Sequence, residues 1–134
     1  MGRWQEIDHT ADLAVHIWAR DLPDLFATAA KAMFSLIADL DSMLVTSSAT
    51  IRLQALDVET LLVDWLNELL FLNETQGLAF TAFTFLRLDT THIECVVEGG
   101  EFATYLNYVK AATFHNLEVR QTVHGYETEI VFDT

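Results

Sequence analysis

After Gly77 the chain reads as one β segment after another, and this restricts its architecture more than any other feature. Leu78 to Leu88, Thr91 to Val97, Tyr105 to Thr122 and Tyr126 to Asp133 carry strand signals, with turn signals at Asp89-Thr90, Gly99-Gly100 and His124-Gly125. The first half is mixed. Trp4 to Asp8 and Asp12 to Ala19 read as short strands joined at His9 to Ala11, and Thr50 to Leu56 alternates as a third. Between them Leu22, Phe26, Ala29, Met33, Leu36 and Leu40 recur at helical spacing, with Asp21 as N-cap and Pro23 in the first turn. Asp57 caps a second helix from Val58 to about Asn73, whose broad apolar face is opposed by a polar stripe of Thr60, Asp64, Asn67 and Glu68. Two helices followed by a β meander predict an α+β fold: a single domain over 1–134, with both α-helices packed on one face of a largely antiparallel β-sheet.

Charge narrows the functional classes. Twenty acidic residues against seven basic ones leave a net charge of -13, and the bases are scattered along the chain. Phosphate binding relies on Lys and Arg displacing counterions, so direct contact with RNA is not expected; a basic partner protein or a metal cation suits such a surface better. No apolar run reaches the roughly 18 residues that a membrane helix needs. Cys95 is the one cysteine, so no disulfide can form within the chain, and its alternation with Ile93 and Val97 reads as the buried face of a strand. A reduced, cytoplasmic protein is the expectation.

Motifs for familiar chemistry are missing. The glycines are too dispersed for a phosphate-cradling loop, and neither a nucleophile elbow nor a zinc spacing occurs. Three polar clusters remain: Asp8 to Asp12, the stripe with Asp64, Asn67 and Glu68, and Asp133-Thr134. By turn chemistry alone Asp12 and His9 cap backbone groups, the stripe is a solvated face, and Asp133-Thr134 is a tail held by the strand before it. Phe71 stands seven positions after Asp64 and so on the polar side of the helix. Either the helix end dips into the core there, or Phe71 is an exposed anchor for a partner. Lys110 is by default a solvated surface lysine, and His115 could simply pack.

Taken together, three stretches resemble the archease family in order and spacing: His9-Thr10-Ala11-Asp12, Leu61 to Leu70 (LLVDWLNELL), and Val109 to Val119 (VKAATFHNLEV). The resemblance runs from Trp4 to Thr134. It implies a non-catalytic accessory protein that activates an RtcB-type RNA ligase in tRNA splicing or RNA repair, promoting ligase guanylylation and multiple turnover. RNA would be met only through the ligase. It further implies a chaperone-like role toward an RNA-modifying methyltransferase as a second partner class. Carried over residue by residue, the family's metal site falls on Asp12, Asp133 and Thr134, and its activating lysine on Lys110; Asp64 and Phe71 are candidates for the partner-activation face.

Such a site makes chemical sense, because aspartate carboxylates and a terminal carboxylate are hard oxygen donors suited to Ca2+ or Mg2+. Their affinity should fall with pH, since ligating carboxylates must be deprotonated. Two departures from the family pattern stand out. The loop Gly100 to Asn107 lacks the Asp and His usual there, and Thr134 replaces an aliphatic residue after Asp133. The alternatives are a metal-dependent hydrolase working through Asp12 and Asp133, for which only His9 is an obvious general base, and a chaperone for RNA-modifying enzymes.

Overall fold

The structure is a computed structural model that describes residues 2–7, 12–41 and 43–134. In chain order its elements are β1 (Arg3–Ile7), β2 (Leu13–Ala19), α1 (Leu22–Ile37), β3 (Ser47–Gln54), α2 (Val58–Gln76), β4 (Leu78–Leu88), β5 (His92–Glu101), β6 (Ala111–Ala112), β7 (Arg120–Thr122) and β8 (Gly125–Asp133). All strand pairs are antiparallel and the α+β class holds, with the strands divided between two sheets. The larger sheet runs β1-β2-β8-β6, with β7 also paired to β8; the smaller runs β3-β5-β4. Both helices contact both sheets. One core joins Val15, Ile17 and Phe132 of the larger sheet to Ile51, Phe80 and Cys95 of the smaller.

Local chemistry accounts for the helix starts. The Asp21 carboxylate accepts the Asp24 N–H at 2.9 Å, and that of Asp57 accepts the Thr60 N–H at 2.8 Å, so each satisfies a donor the helix itself leaves open. Gly77 ends α2 in the left-handed conformation at φ 69°. The end of α1 is decided from a distance. Its spacing predicts helix to Leu40, yet it stops at Ile37. The Leu36 carbonyl accepts the Asn107 side-chain amide at 2.7 Å, the Ile37 carbonyl accepts the Leu106 N–H at 2.7 Å, and Ala38 bridges to Tyr105. The loop that lacks the family's Asp and His therefore finishes α1.

Trp65 sits at the centre of the core, fully buried, with its indole N–H donating to the Phe26 carbonyl at 3.0 Å. Its ring lies 6.3 Å from that of Phe26 and 5.8 and 6.0 Å from those of Phe83 and Phe85. One side chain thus ties α2 to α1 and to β4, by ring packing and a buried hydrogen bond together. Burial also pushes the Cys95 thiol up to about 12, against a hydrogen bond that lowers it, which keeps it protonated and inert.

Two β expectations are corrected. Tyr105 to Thr122 is not a continuous strand: apart from the Tyr105 bridge, Ala111–Ala112 and Arg120–Thr122 are its paired segments, and between them the chain turns at Phe114 to Leu117 with Asn116 at φ 51°. Gly99-Gly100 is not a turn either. Both glycines lie inside β5, where Gly99 faces Phe80 and Gly100 faces Ala79 beside a bulge between Phe80 and Ala82. The turn at Asp89 does form, its carboxylate held well below the usual range by the Thr91 and His92 hydrogen bonds.

Candidate functional site

The β2–β8 ladder has two chemically different ends. At one end, Leu13 faces Phe132, and continuing that register by one position sets Asp12 opposite Asp133. Side chains opposed in this way project from the same face of a sheet. Lys110 comes to the same place from the next strand position, its N–H donating to the Asp133 carbonyl at 2.8 Å, while Ala111 faces Asp133 in register. Asp12 is half-buried; Asp133, Thr134 and Lys110 are exposed. The sheet therefore gathers at one end residues from three segments that the sequence holds far apart: Asp12, Lys110 and Asp133-Thr134.

Asp8, His9, Thr10 and Ala11 lie outside the described residues, so the part assigned to His9 does too. Among the described residues, no group of three or more His, Cys, Asp or Glu side chains is placed to hold a metal ion. Two carboxylates at neighbouring strand ends are hard-cation donors but not a full shell, and a cation there would need further oxygen ligands.

Beside this end runs α2, whose polar stripe does more than meet solvent. The Asn67 side chain accepts the Ala112 N–H at 2.8 Å and donates to the Ala112 carbonyl at 3.2 Å, so its amide pairs with β6 as a further strand would. Two turns toward the N-terminus, Glu59 accepts the Val119 N–H at 2.9 Å; two turns the other way, Glu74 accepts the Tyr108 hydroxyl at 3.1 Å. The segment from Tyr108 to Val119 is strapped along one face of the helix. The sequence motif does contain Asn67, but nothing in its pattern announces this pairing. Asp64 is exposed, and Phe71 is 56 % exposed, which excludes the reading in which the helix end dips into the core. His115 lies exposed at the Phe114 to Leu117 turn.

The other end of the ladder is basic. Across the sheet, Arg3 faces Trp18, Trp18 faces Glu127, and Glu127 faces Arg120, forming one row over four strands. The Arg3 guanidinium lies 4.2 Å from the centre of the Trp18 ring. Glu127 accepts from His16 Nε2 at 2.7 Å and lies 3.8 Å from Arg120. The His16 hydrogen bond holds the Glu127 carboxyl below its ordinary 4.5, and attraction to His16 and Arg120 adds to it while desolvation opposes it. A carboxyl depressed in the folded state stabilises the fold above the unfolded value, and that contribution is lost as pH falls through the folded one. Titration of Glu127 by NMR should therefore give a midpoint below 4.5, and His16→Ala should move it upward. A midpoint unchanged by that substitution would remove His16 as the cause.

A small α+β domain of two antiparallel sheets and two helices, with Asp12 and Asp133 at one end of the larger sheet, is the class these features define. Residues 4–134 match the archease protein family, and the chain belongs to it. It is 35% identical to protein archease of Methanopyrus kandleri, over 97% of this chain and 98% of that one. To protein archease of Methanosarcina barkeri it is 30% identical, with 98% and 95% covered. The solution structure of Methanobacterium thermoautotrophicum protein 1598 superposes with a TM-score of 0.81 at 27% identity, over 98% of each chain. A crystal structure of a Thermotoga maritima archease, described as a possible chaperone, has the same fold at a TM-score of 0.70 and 22% identity, over 97% and 96% of the two chains.

Proposed function

We propose that this protein is a non-catalytic, cytoplasmic accessory factor that activates an RtcB-type RNA ligase, with a divalent cation, Ca2+ or Mg2+, held by Asp12, Asp133 and Thr134. The observation that carries this reading is the convergence of Asp12, Asp133 and Lys110 at one exposed end of the larger sheet. A cation there would supply positive charge with coordination positions left open to a partner's oxygen ligands. Lys110 would place an ammonium beside the same surface, and the exposed Asp64 and Phe71 on α2 would complete the docking face. The acidic character of the chain favours a basic protein partner over bare RNA.

The expected result is direct. Adding the protein to its cognate ligase with GTP and Mg2+ should accelerate formation of the ligase-GMP intermediate. Asp133→Asn and Lys110→Ala should each weaken that acceleration on the order of tenfold, the range found when metal-site groups are altered. Neither should change the unfolding midpoint, since both side chains are exposed. Guanylylation at the same rate with and without the protein would overturn the reading.

A chaperone role is the second reading, and the exposed Phe71, Tyr108 and Phe114 favour it. It predicts suppressed aggregation of an unrelated unfolded protein, lost on Phe71→Ser and indifferent to Asp133→Asn. The hydrolase alternative would need a general acid or base beside the two aspartates, and the sequence offers only His9 for that part.

A further inference from the structure

The basic end of the β2–β8 ladder forms a cleft of about 410 Å3, lined by Arg3, Trp18, Arg20, Thr122, His124 and Tyr126, with Glu127 the one acid in its wall. That volume lies within the range of small-ligand sites. Three of the seven bases, far apart in sequence, come together here: Arg3 and Arg20 line the cleft, and Arg120 lies 3.8 Å from Glu127 of its wall. The acids nearby are already engaged. Glu127 bonds to His16 and lies near Arg120, and Asp24 accepts the backbone N–H groups of Gly2 at 2.8 Å and Arg20 at 3.0 Å. Asp24 also lies 4.0 Å from the Arg20 guanidinium, which is otherwise exposed. Among the described residues, Arg3 makes no ion pair and rests on the Trp18 ring. Two guanidinium groups thus face one concavity in a chain of net charge -13.

We propose that this cleft binds a compact phosphate monoester, no larger than a mononucleotide, with its phosphoryl group held between Arg3, Arg20 and His124. Donors arriving from three separate segments suit a tetrahedral group with several free oxygens; a planar carboxylate would be served by a single guanidinium fork. The Thr122 hydroxyl oxygen accepts the His124 N–H at 3.2 Å and keeps its own proton to donate. Tyr126 offers a flat surface for the rest of the ligand. A polyanion is disfavoured because the surrounding protein repels phosphates beyond the cleft. The site lies roughly 20 Å along the ladder from Asp133, at about 3.3 Å per residue, and is independent of the ligase-activation reading.

The test is a heteronuclear NMR titration of the intact protein with inorganic phosphate, guanosine 5′-monophosphate, guanosine and a single-stranded RNA decamer. Phosphate and the monophosphate should shift the resonances of Trp18, Arg20, Thr122 and His124 saturably, and guanosine should not. Arg20→Gln and, separately, His124→Ala should weaken monophosphate binding about tenfold or more, as loss of a charge-assisted hydrogen bond does, with an unchanged spectrum elsewhere. Three results would each overturn the proposal: no saturable shift with either phosphate probe, equal binding of guanosine, or binding unaffected in both variants. Tighter binding of the decamer than of the monophosphate at the same residues would also overturn it, by making the cleft part of a nucleic-acid surface.

Discussion

Replacing Gly99 by Ala is expected to cost about 3 kcal/mol or more, a large share of the roughly 5–15 kcal/mol by which domains are stable. A Cβ at Gly99 would stand 1.8 Å from the Ala79 carbonyl oxygen and 2.7 Å from Phe80 Cα. These are backbone atoms of the neighbouring strand, so no rotamer change can relieve the clash. β4 must separate from β5 where the bulge between Phe80 and Ala82 already interrupts the register. Gly77→Ala is the informative control. Gly77 has the left-handed φ of 69° but nothing within 4 Å of a Cβ, so its cost is conformational, about 1 kcal/mol. Denaturant unfolding should rank Gly99→Ala well below Gly77→Ala. The reverse ranking would mean that the strands can part cheaply.

The contrast also marks what could be read from the sequence. Gly99-Gly100 between two apolar runs looks like a turn, since a turn is the common reason for paired glycines. Here the reason is the close approach of a neighbouring strand, which only the folded register creates. Local signals are legible: Asp21 and Asp57 as caps and the strand from Leu78 to Leu88, whereas α2 runs on to Gln76, three residues past the end its pattern predicts. Signals settled by distant partners are not. The end of α1 depends on Leu106 and Asn107, and the break in Tyr105 to Thr122 depends on Asn116 and on the strapping of that segment to α2. The basic cleft was invisible for the same reason. Arg3, Arg20 and Arg120 are unrelated in sequence and become neighbours through the pairing of β1, β2, β7 and β8. At the acidic end, the family resemblance named Asp12, Asp133 and Lys110, and the same ladder explains how such separated residues can act together.

Asn67→Leu should lower stability by about 2 kcal/mol, and its effect should reach the acidic end of the sheet. Leu nearly matches Asn in shape, so packing changes little, while both Ala112 backbone groups lose their side-chain partner at a half-buried position. Each unpaired group costs on the order of 1 kcal/mol, moderated where water can enter. β6 is only two residues long and pairs with Phe132 and Asp133 on its other side. Without Asn67 it is held along one edge alone. Lys110 directly precedes it and is fixed to the Asp133 carbonyl by one backbone hydrogen bond, so a loosened β6 frees the lysine that the proposed activation requires. Amide hydrogen exchange at Lys110 and Ala112 should accelerate in Asn67→Leu and stay unchanged in Gly77→Ala. Ligase activation should fall with the former and not with the latter. Slow exchange at both amides in Asn67→Leu would mean that β8 alone holds β6, and the helix would then have no part in placing Lys110.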